Sequence, residues 1–362
     1  MNKAFLILED GSVFEGIGRG FKKETVAEIV FNTSMTGYTE ALTDPSYCGQ
    51  MIALTYPLIG NYGVCLNDME SKRIWASALI VRELADEGSN FRRDVNLEEF
   101  LNMYEIPAIE GVDVRKIVKL LRSKGTMNGM ITFDGILTKP KSVTEAIERI
   151  KSFRMLEPVI NVSTGGMTYG RGNKYKIALV DLGTKKSIID KLVMRGCEVN
   201  TFKYDVRIDD ILKINPDGII LGNGPGDPAL CSNTIELAKG LYDTEIPILG
   251  ICLGHQIMAL AVGAETFKMK FGHRGGNHPV RDMNSGRVYI TSQNHGYVID
   301  SGTISSEIAE ASYVNVNDGS IEGLRYKKKR IRTVQFHPEA CSGPLDTEFI
   351  FDEFINLIKE EA

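Results

Sequence analysis

From Lys176 onward the chain alternates apolar strand runs with amphipathic helices, and few folds accept that rhythm. Ile177-Ala178-Leu179-Val180-Asp181, Glu198-Val199-Asn200-Thr201-Phe202 and Gly218-Ile219-Ile220-Leu221 read as strands. Between and after them, 185–195, 209–214 and 234–241 carry apolar residues at helical spacing. In the first of these helices Ile188, Ile189, Leu192 and Val193 share one face, and Gly196 closes it. Strands joined through helices run parallel, so the pattern predicts an α/β domain: a parallel sheet with helices on both faces. Sheets of this kind carry their sites at the carboxyl ends of the strands. A helix within 346–360 closes the chain and buries Ile350, Phe351, Phe354, Leu357 and Ile358.

One strand of this series ends unusually. Ile246-Pro247-Ile248-Leu249 runs into Gly250-Ile251-Cys252-Leu253-Gly254, and a helix begins at about Gln256. This is a nucleophile elbow with cysteine at its tip. The two glycines let strand and helix meet closely, and the helix N-terminus behind Cys252 favours a thiolate. A buried structural cysteine is the competing reading.

Two further features lie at strand ends. Gly222-Asn223-Gly224-Pro225-Gly226-Asp227-Pro228 follows a strand, but Pro225 and Asp227 break a dinucleotide fingerprint, and no Walker A motif occurs. Its backbone N–H groups can instead approach a developing oxyanion, although a plain tight turn has the same residues. In Gln335-Phe336-His337-Pro338-Glu339 the imidazole and the carboxylate are two residues apart. Extended backbone projects both to one side, and a carboxylate beside an imidazole fixes its tautomer and stabilises its cation. His337 then serves as acid and base toward Cys252. Alone, the tripeptide reads as a surface turn; elbow, glycine loop and His-Pro-Glu together do not read as coincidence.

The first half is a mixed, β-rich domain. Residues 3–8 form a strand, Glu9-Asp10-Gly11-Ser12 a hairpin turn and Val13-Phe14-Glu15-Gly16 a return strand. Strands are expected at 28–33 and 51–56, and helices at 112–122 and 144–150. The polar, glycine-rich stretch 161–174 reads as a linker, which divides the chain into 1–160 and 175–362. This half holds no Ser/His/Asp set, no Cys/His metal spacing and no phosphate loop. A net charge of −5 and a pI near 5.7 argue against a nucleic-acid partner. The six cysteines form no CxxC pair, which suits a reducing compartment and a cytoplasmic location. The acidic start at Glu9-Asp10 does not suit a signal peptide, and no apolar run is long enough to span a bilayer.

The elbow, the Gly224–Asp227 loop and Phe336-His337-Pro338-Glu339 are similar, in that order, to the three motifs of the class I, triad-type glutamine amidotransferases. Phe31-Asn32-Thr33-Ser34-Met35-Thr36-Gly37-Tyr38-Thr39-Glu40, Asp44-Pro45-Ser46-Tyr47, Gly60-Asn61-Tyr62-Gly63 and Ser89-Asn90-Phe91-Arg92 resemble the N-terminal domain of carbamoyl-phosphate synthetase small subunits. So do Phe271-Gly272-His273-Arg274-Gly275-Gly276-Asn277-His278-Pro279 and Ser292-Gln293-Asn294-His295-Gly296-Tyr297.

The resemblance implies a glutaminase subunit that hydrolyses L-glutamine and passes ammonia to a large subunit. That partner uses ATP, with Mg, and bicarbonate to make carbamoyl phosphate for arginine or pyrimidine biosynthesis. No cofactor or metal is expected in this chain. Carried across, it makes Cys252 the nucleophile, His337 the acid/base and Glu339 the residue that orients it. Backbone N–H groups of Gly226 and Leu253 form the oxyanion hole. Glutamine is held by Ser46, Gly224, Gly226, Leu253, Gln256, Asn294, Gly296 and Tyr297; Ser46 belongs to the first domain, which puts the pocket at the domain interface. Val114 and Leu345 depart from the family's pattern, and neither falls on the triad. Three other readings stay open: the glutaminase of a different synthetase, a non-catalytic subunit of the same fold, and a redox-active Cys252.

Overall fold

Alternate residues of a strand point to opposite faces, and in the second half both faces are covered. In the computed structural model, which describes residues 3–133 and 140–360, the chain divides after Met155 into two units.

The first unit is built on β1 (Lys3–Leu8), β2 (Val13–Gly20), β3 (Thr25–Asn32), β4 (Gln50–Leu54), β5 (Leu58–Ile59), β6 (Ala78–Ile80), β7 (Glu83–Leu84), β8 (Pro107–Glu110) and β9 (Met127–Thr132). Its helices are α1 (Tyr38–Thr43), α2 (Leu97–Met103), α3 (Val114–Lys124) and α4 (Pro140–Ser152). The expected hairpin forms: the Leu8 N–H donates to the Ser12 carbonyl at 2.8 Å, and β1 pairs antiparallel with β2 from Lys3 opposite Ile17 to Ile7 opposite Val13. Seven strands close into a barrel in the order β1-β2-β8-β6-β4-β3-β9, while β5 and β7 pair with each other. Closure removes the exposed sheet edges that strands of this length would otherwise present.

The second unit contains β10 (Thr168–Tyr169), β11 (Tyr175–Asp181), β12 (Cys197–Lys203), β13 (Gly218–Leu221), β14 (Ile248–Ile251), β15 (Thr266–Asp282), β16 (Val288–Ile299), β17 (Ala309–Asn315), β18 (Ile321–Tyr326) and β19 (Ile331–Val334). Its helices are α5 (Pro158–Val162), α6 (Lys186–Met194), α7 (Ile208–Leu212), α8 (Ser232–Tyr242), α9 (Leu253–Ala261) and α10 (Phe349–Lys359). All ten strands form one sheet, in the order β10-β12-β11-β13-β14-β19-β18-β17-β15-β16. The strands from β12 to β19 in that order are mutually parallel. Ala178 and Val180 pack on one face with Leu237, Ile257 and Met258, and Ile177 and Leu179 pack on the other with Ile188, Phe351 and Phe354.

Two features were not visible in the sequence pattern. The parallel core is extended by antiparallel strands, above all the long β15–β16 hairpin. The stretch read as a linker carries part of α5 and all of β10, and β10 pairs with β12. Those residues therefore belong to the second unit's own architecture.

Candidate active site

β14 and β19 lie side by side at the centre of the sheet, and the site stands at their carboxyl ends. Cys252 leaves β14 with φ 53° and ψ −102°, a strained combination for a residue with a Cβ. Its N–H donates to the Val334 carbonyl at 2.8 Å, and α9 starts at the next residue. The turn depends on Gly254, where a Cβ would sit 2.1 Å from the Leu221 carbonyl oxygen. The elbow thus holds Cys252 at the mouth of α9, with the Leu253 N–H in the first turn, where helices lack an internal acceptor. Cys252 is nonetheless only 2% exposed.

His337 follows β19 after a bend at 335–336 and pairs with Ser292 in an isolated bridge, and the chain turns at Pro338-Glu339 rather than staying extended as expected from the sequence. The outcome for the pair is the same: His337 Nδ1 and Glu339 Oε1 are 2.6 Å apart. The segment is held by the His337 N–H, which donates to the Ser292 carbonyl of β16 at 2.9 Å. His337 Nε2 is buried and has no hydrogen-bond partner among the described residues.

A third member was not foreseen. Lys185, just before α6, donates to Glu339 Oε1 at 3.0 Å and to the Ala340 carbonyl at 2.7 Å, with its side chain 5% exposed. Asp181, at the end of β11, shapes the approach by accepting the Gly183 and Thr184 N–H groups at 2.9 and 2.7 Å. The only local sign of Lys185 was its place just beyond the end of a central strand. Burial works against a charged His337, yet the Glu339 carboxylate and the Cys252 sulfur outweigh it and raise the imidazole's pKa. Burial likewise works against a charged Glu339, and the Lys185 ammonium and His337 hold its carboxyl below the usual range.

Besides the His337 imidazole, Cys252 Sγ has two polar neighbours among the described residues. The Asn294 carbonyl oxygen lies 3.8 Å away, and Gln335 Nε2 lies 3.6 Å away. Asn294, Gly296 and Tyr297 all lie on β16, which reaches the site beside His337. The Tyr297 carbonyl accepts from Gln256 Nε2 at 2.7 Å. Gly224 approaches the elbow closely: a Cβ there would lie 2.9 Å from Leu253 Cδ2. Gly226 has φ +96°, and a Cβ there would meet Pro158 Cγ at 2.6 Å. Ser46 lies in the first unit, on a short turn at Pro45–Tyr47, where its N–H donates to Asp44 Oδ1 at 2.9 Å. The structure therefore groups Cys252, His337, Glu339, Leu253, Gln256, Asn294 and Gly224 within one unit.

A second cluster, buried except for Asp318, includes His295 of β16. His273 lies 2.8 Å from Asp318 Oδ2 through Nε2 and 3.2 Å from Glu322 Oε1 through Nδ1. His273, His295 and Glu322 offer ligand atoms within 4.8 Å of one another. Protein groups already face them: Glu322 also accepts from Gln293 and Asn315, and the His295 nitrogens lie 2.9 Å from the Tyr297 carbonyl and 3.1 Å from Gln293 Oε1, to one of which the neutral ring donates. The set is a closed hydrogen-bond network rather than a ligand cage.

Both halves match known families. Residues 178–357 fit the model of glutamine amidotransferase class-I, and residues 6–131 that of the carbamoyl-phosphate synthase small chain, CPSase domain. The carbamoyl phosphate synthase small chain of Clostridium perfringens is 47% identical over 98% of this chain and 99% of its own length. The protein of the same name from Fusobacterium nucleatum is 46% identical over 98% and 97%, and that from Staphylococcus saprophyticus 43% over 99% and 97%. With such identity along nearly the whole of each sequence, this chain belongs to the carbamoyl phosphate synthase small chain family.

Proposed function

We propose that the chain is the glutaminase subunit of a glutamine-hydrolysing carbamoyl-phosphate synthase. One observation carries the chemistry: His337 is tied to Glu339 through Nδ1, while its buried Nε2 is left without a partner. That nitrogen is free to move a proton. The Cys252 thiolate attacks the side-chain amide carbon of L-glutamine, and the N–H groups of Leu253 and Gly226 receive the developing oxyanion. Protonated His337 gives its proton to the leaving ammonia. Water then attacks the thioester, His337 takes a proton back, and glutamate leaves. Gly224, Asn294, Gly296 and Tyr297 supply backbone and side-chain polar groups for the charged α-amino and α-carboxyl ends of the substrate.

Membership of the family supports a large-subunit partner, on which ATP, Mg and bicarbonate are used; this chain contributes no cofactor to that reading. Among the described residues no helix is long and apolar enough to cross a membrane. A thiol nucleophile suits the reducing cytoplasm. The test is Cys252→Ala in the assembled enzyme. Glutamine-dependent carbamoyl phosphate formation is expected to vanish while ammonia-dependent formation persists. Undiminished glutamine hydrolysis by that variant would refute the assignment.

A further inference from the structure

We propose that Gln335 is a catalytic residue: its side-chain amide donates a hydrogen bond to the Cys252 sulfur and stabilises the thiolate. Gln335 lies one residue beyond β19, is fully buried, and places Nε2 3.6 Å from Cys252 Sγ. An amide can turn either end toward a neighbour, so its orientation must be derived from its other contacts. Gln256 settles it. The Tyr297 carbonyl can only accept, so Gln256 must present its NH2 there, at 2.7 Å. The same NH2 reaches Gln335 Oε1 at 2.8 Å. Gln335 therefore turns its oxygen to Gln256 and its NH2 to the sulfur. Its own N–H is anchored on the Glu322 carbonyl at 2.9 Å, which fixes the backbone from which the side chain springs.

Apart from His337, the Asn294 and Gln335 contacts of Cys252 Sγ favour opposite states. The Asn294 carbonyl suits the protonated thiol, because it accepts the S–H. The Gln335 amide suits the thiolate, because charge strengthens the acceptor. Gln256 gains a different part from the one the family resemblance gave it. Both its amide hydrogens go to protein oxygens, so it acts here as the group that orients Gln335.

The inference rests on Cys252 being the nucleophile, and its test reads the thiol directly. The full chain, assembled with its large subunit, is treated with iodoacetamide across pH, and alkylation of the Cys252 peptide is followed by mass spectrometry. In Gln335→Met the half-point of alkylation is expected to rise by about one pH unit, and kcat/KM for glutamine near neutral pH to fall about tenfold. Gln335→Glu, which points a carboxylate at the sulfur, is expected to move the half-point further in the same direction. Gln256→Met, which frees the amide to turn, should shift it the same way and keeps the proposal testable if either Gln335 variant fails to fold. An unchanged half-point in a folded Gln335→Met overturns the proposal. Unmodified protein that is alkylated but releases no ammonia from glutamine would instead count against the glutaminase reading, and the alkylation shift would still decide this one.

Discussion

Two histidine–carboxylate clusters in the second unit each centre on a buried imidazole, and the imidazoles differ in what one nitrogen meets. His337 spends Nδ1 on Glu339 and leaves Nε2 unbonded. His273 spends both nitrogens on carboxylates, Nε2 on Asp318 and Nδ1 on Glu322, and its ring is packed by His278 and His295 at 4.9 Å between centroids. Each imidazole is raised above its ordinary pKa despite burial. A charged imidazole with a free nitrogen can pass a proton; one held at both ends can only hold strands together. The clusters share chemistry, and the difference in connectivity assigns one to catalysis and the other to the scaffold that presents β16.

The same substitution at the two histidines tests that division. His337→Asn is expected to lower kcat for glutamine by about 10³-fold or more with little change in thermal midpoint. His273→Asn is expected to keep kcat within about tenfold while lowering the thermal midpoint, since it leaves the buried Glu322 carboxylate short of a partner. Comparable losses of kcat in both, measured as ammonia release, would erase the distinction.

A smaller effect separates orientation from charge balance. Glu339→Gln keeps an oxygen that can accept from His337 but removes the charge that holds the imidazolium, and it also strands the buried Lys185 ammonium. We expect kcat to fall about 10²-fold and stability to drop by about 3 kcal/mol. Adding Lys185→Met should recover much of the stability, read from denaturant unfolding, without recovering kcat. Recovery of both together would mean that Lys185 and Glu339 act only as a structural pair.

The comparison also explains what the sequence could show. Cys252 sits between glycines, and His337 and Glu339 are two residues apart, so their relation is local and legible. Lys185 reaches Glu339 only because β11 and β19 are drawn into one sheet, and its place beyond a strand end is the one local mark it carries. Gln335 lies in the sequence just before His337, where a polar residue says nothing of its target. The His273 cluster needs the β15–β16 hairpin, whose register shifts between Lys268 and His273 and between Gly275 and His278. Bulges of this kind break the two-residue period by which strands are recognised. Barrel closure in the first unit was hidden for a related reason: β6 has three residues and β8 four, too few for alternation to show. The reach of α6, α8 and α10 was clear because eleven residues or nearly so give a helical face room to repeat.

The least of the expected effects is a pH dependence confined to the scaffold cluster. Burial would lower the His273 pKa, but Asp318 and Glu322 raise it to about 9. Burial raises the Glu322 carboxyl, against the pull of His273. With His273, Gln293 and Asn315 all directed at its oxygens, the carboxylate is the form this geometry serves. A folded-state pKa above the unfolded value means that protonated His273 stabilises the fold. That contribution is fully present below about pH 6.5 and is lost as pH rises through about 9. Its size is on the order of 1–2 kcal/mol once the burial of Glu322 is set against it. The measurement is urea unfolding of the unmodified protein and of His273→Asn from pH 6 to pH 10, so that titrations common to both cancel. The stability difference should be largest at pH 6 and shrink toward pH 10. A difference that stays level would show His273 holding β16 as a neutral ring, and the two clusters would then differ in charge as well as in connectivity.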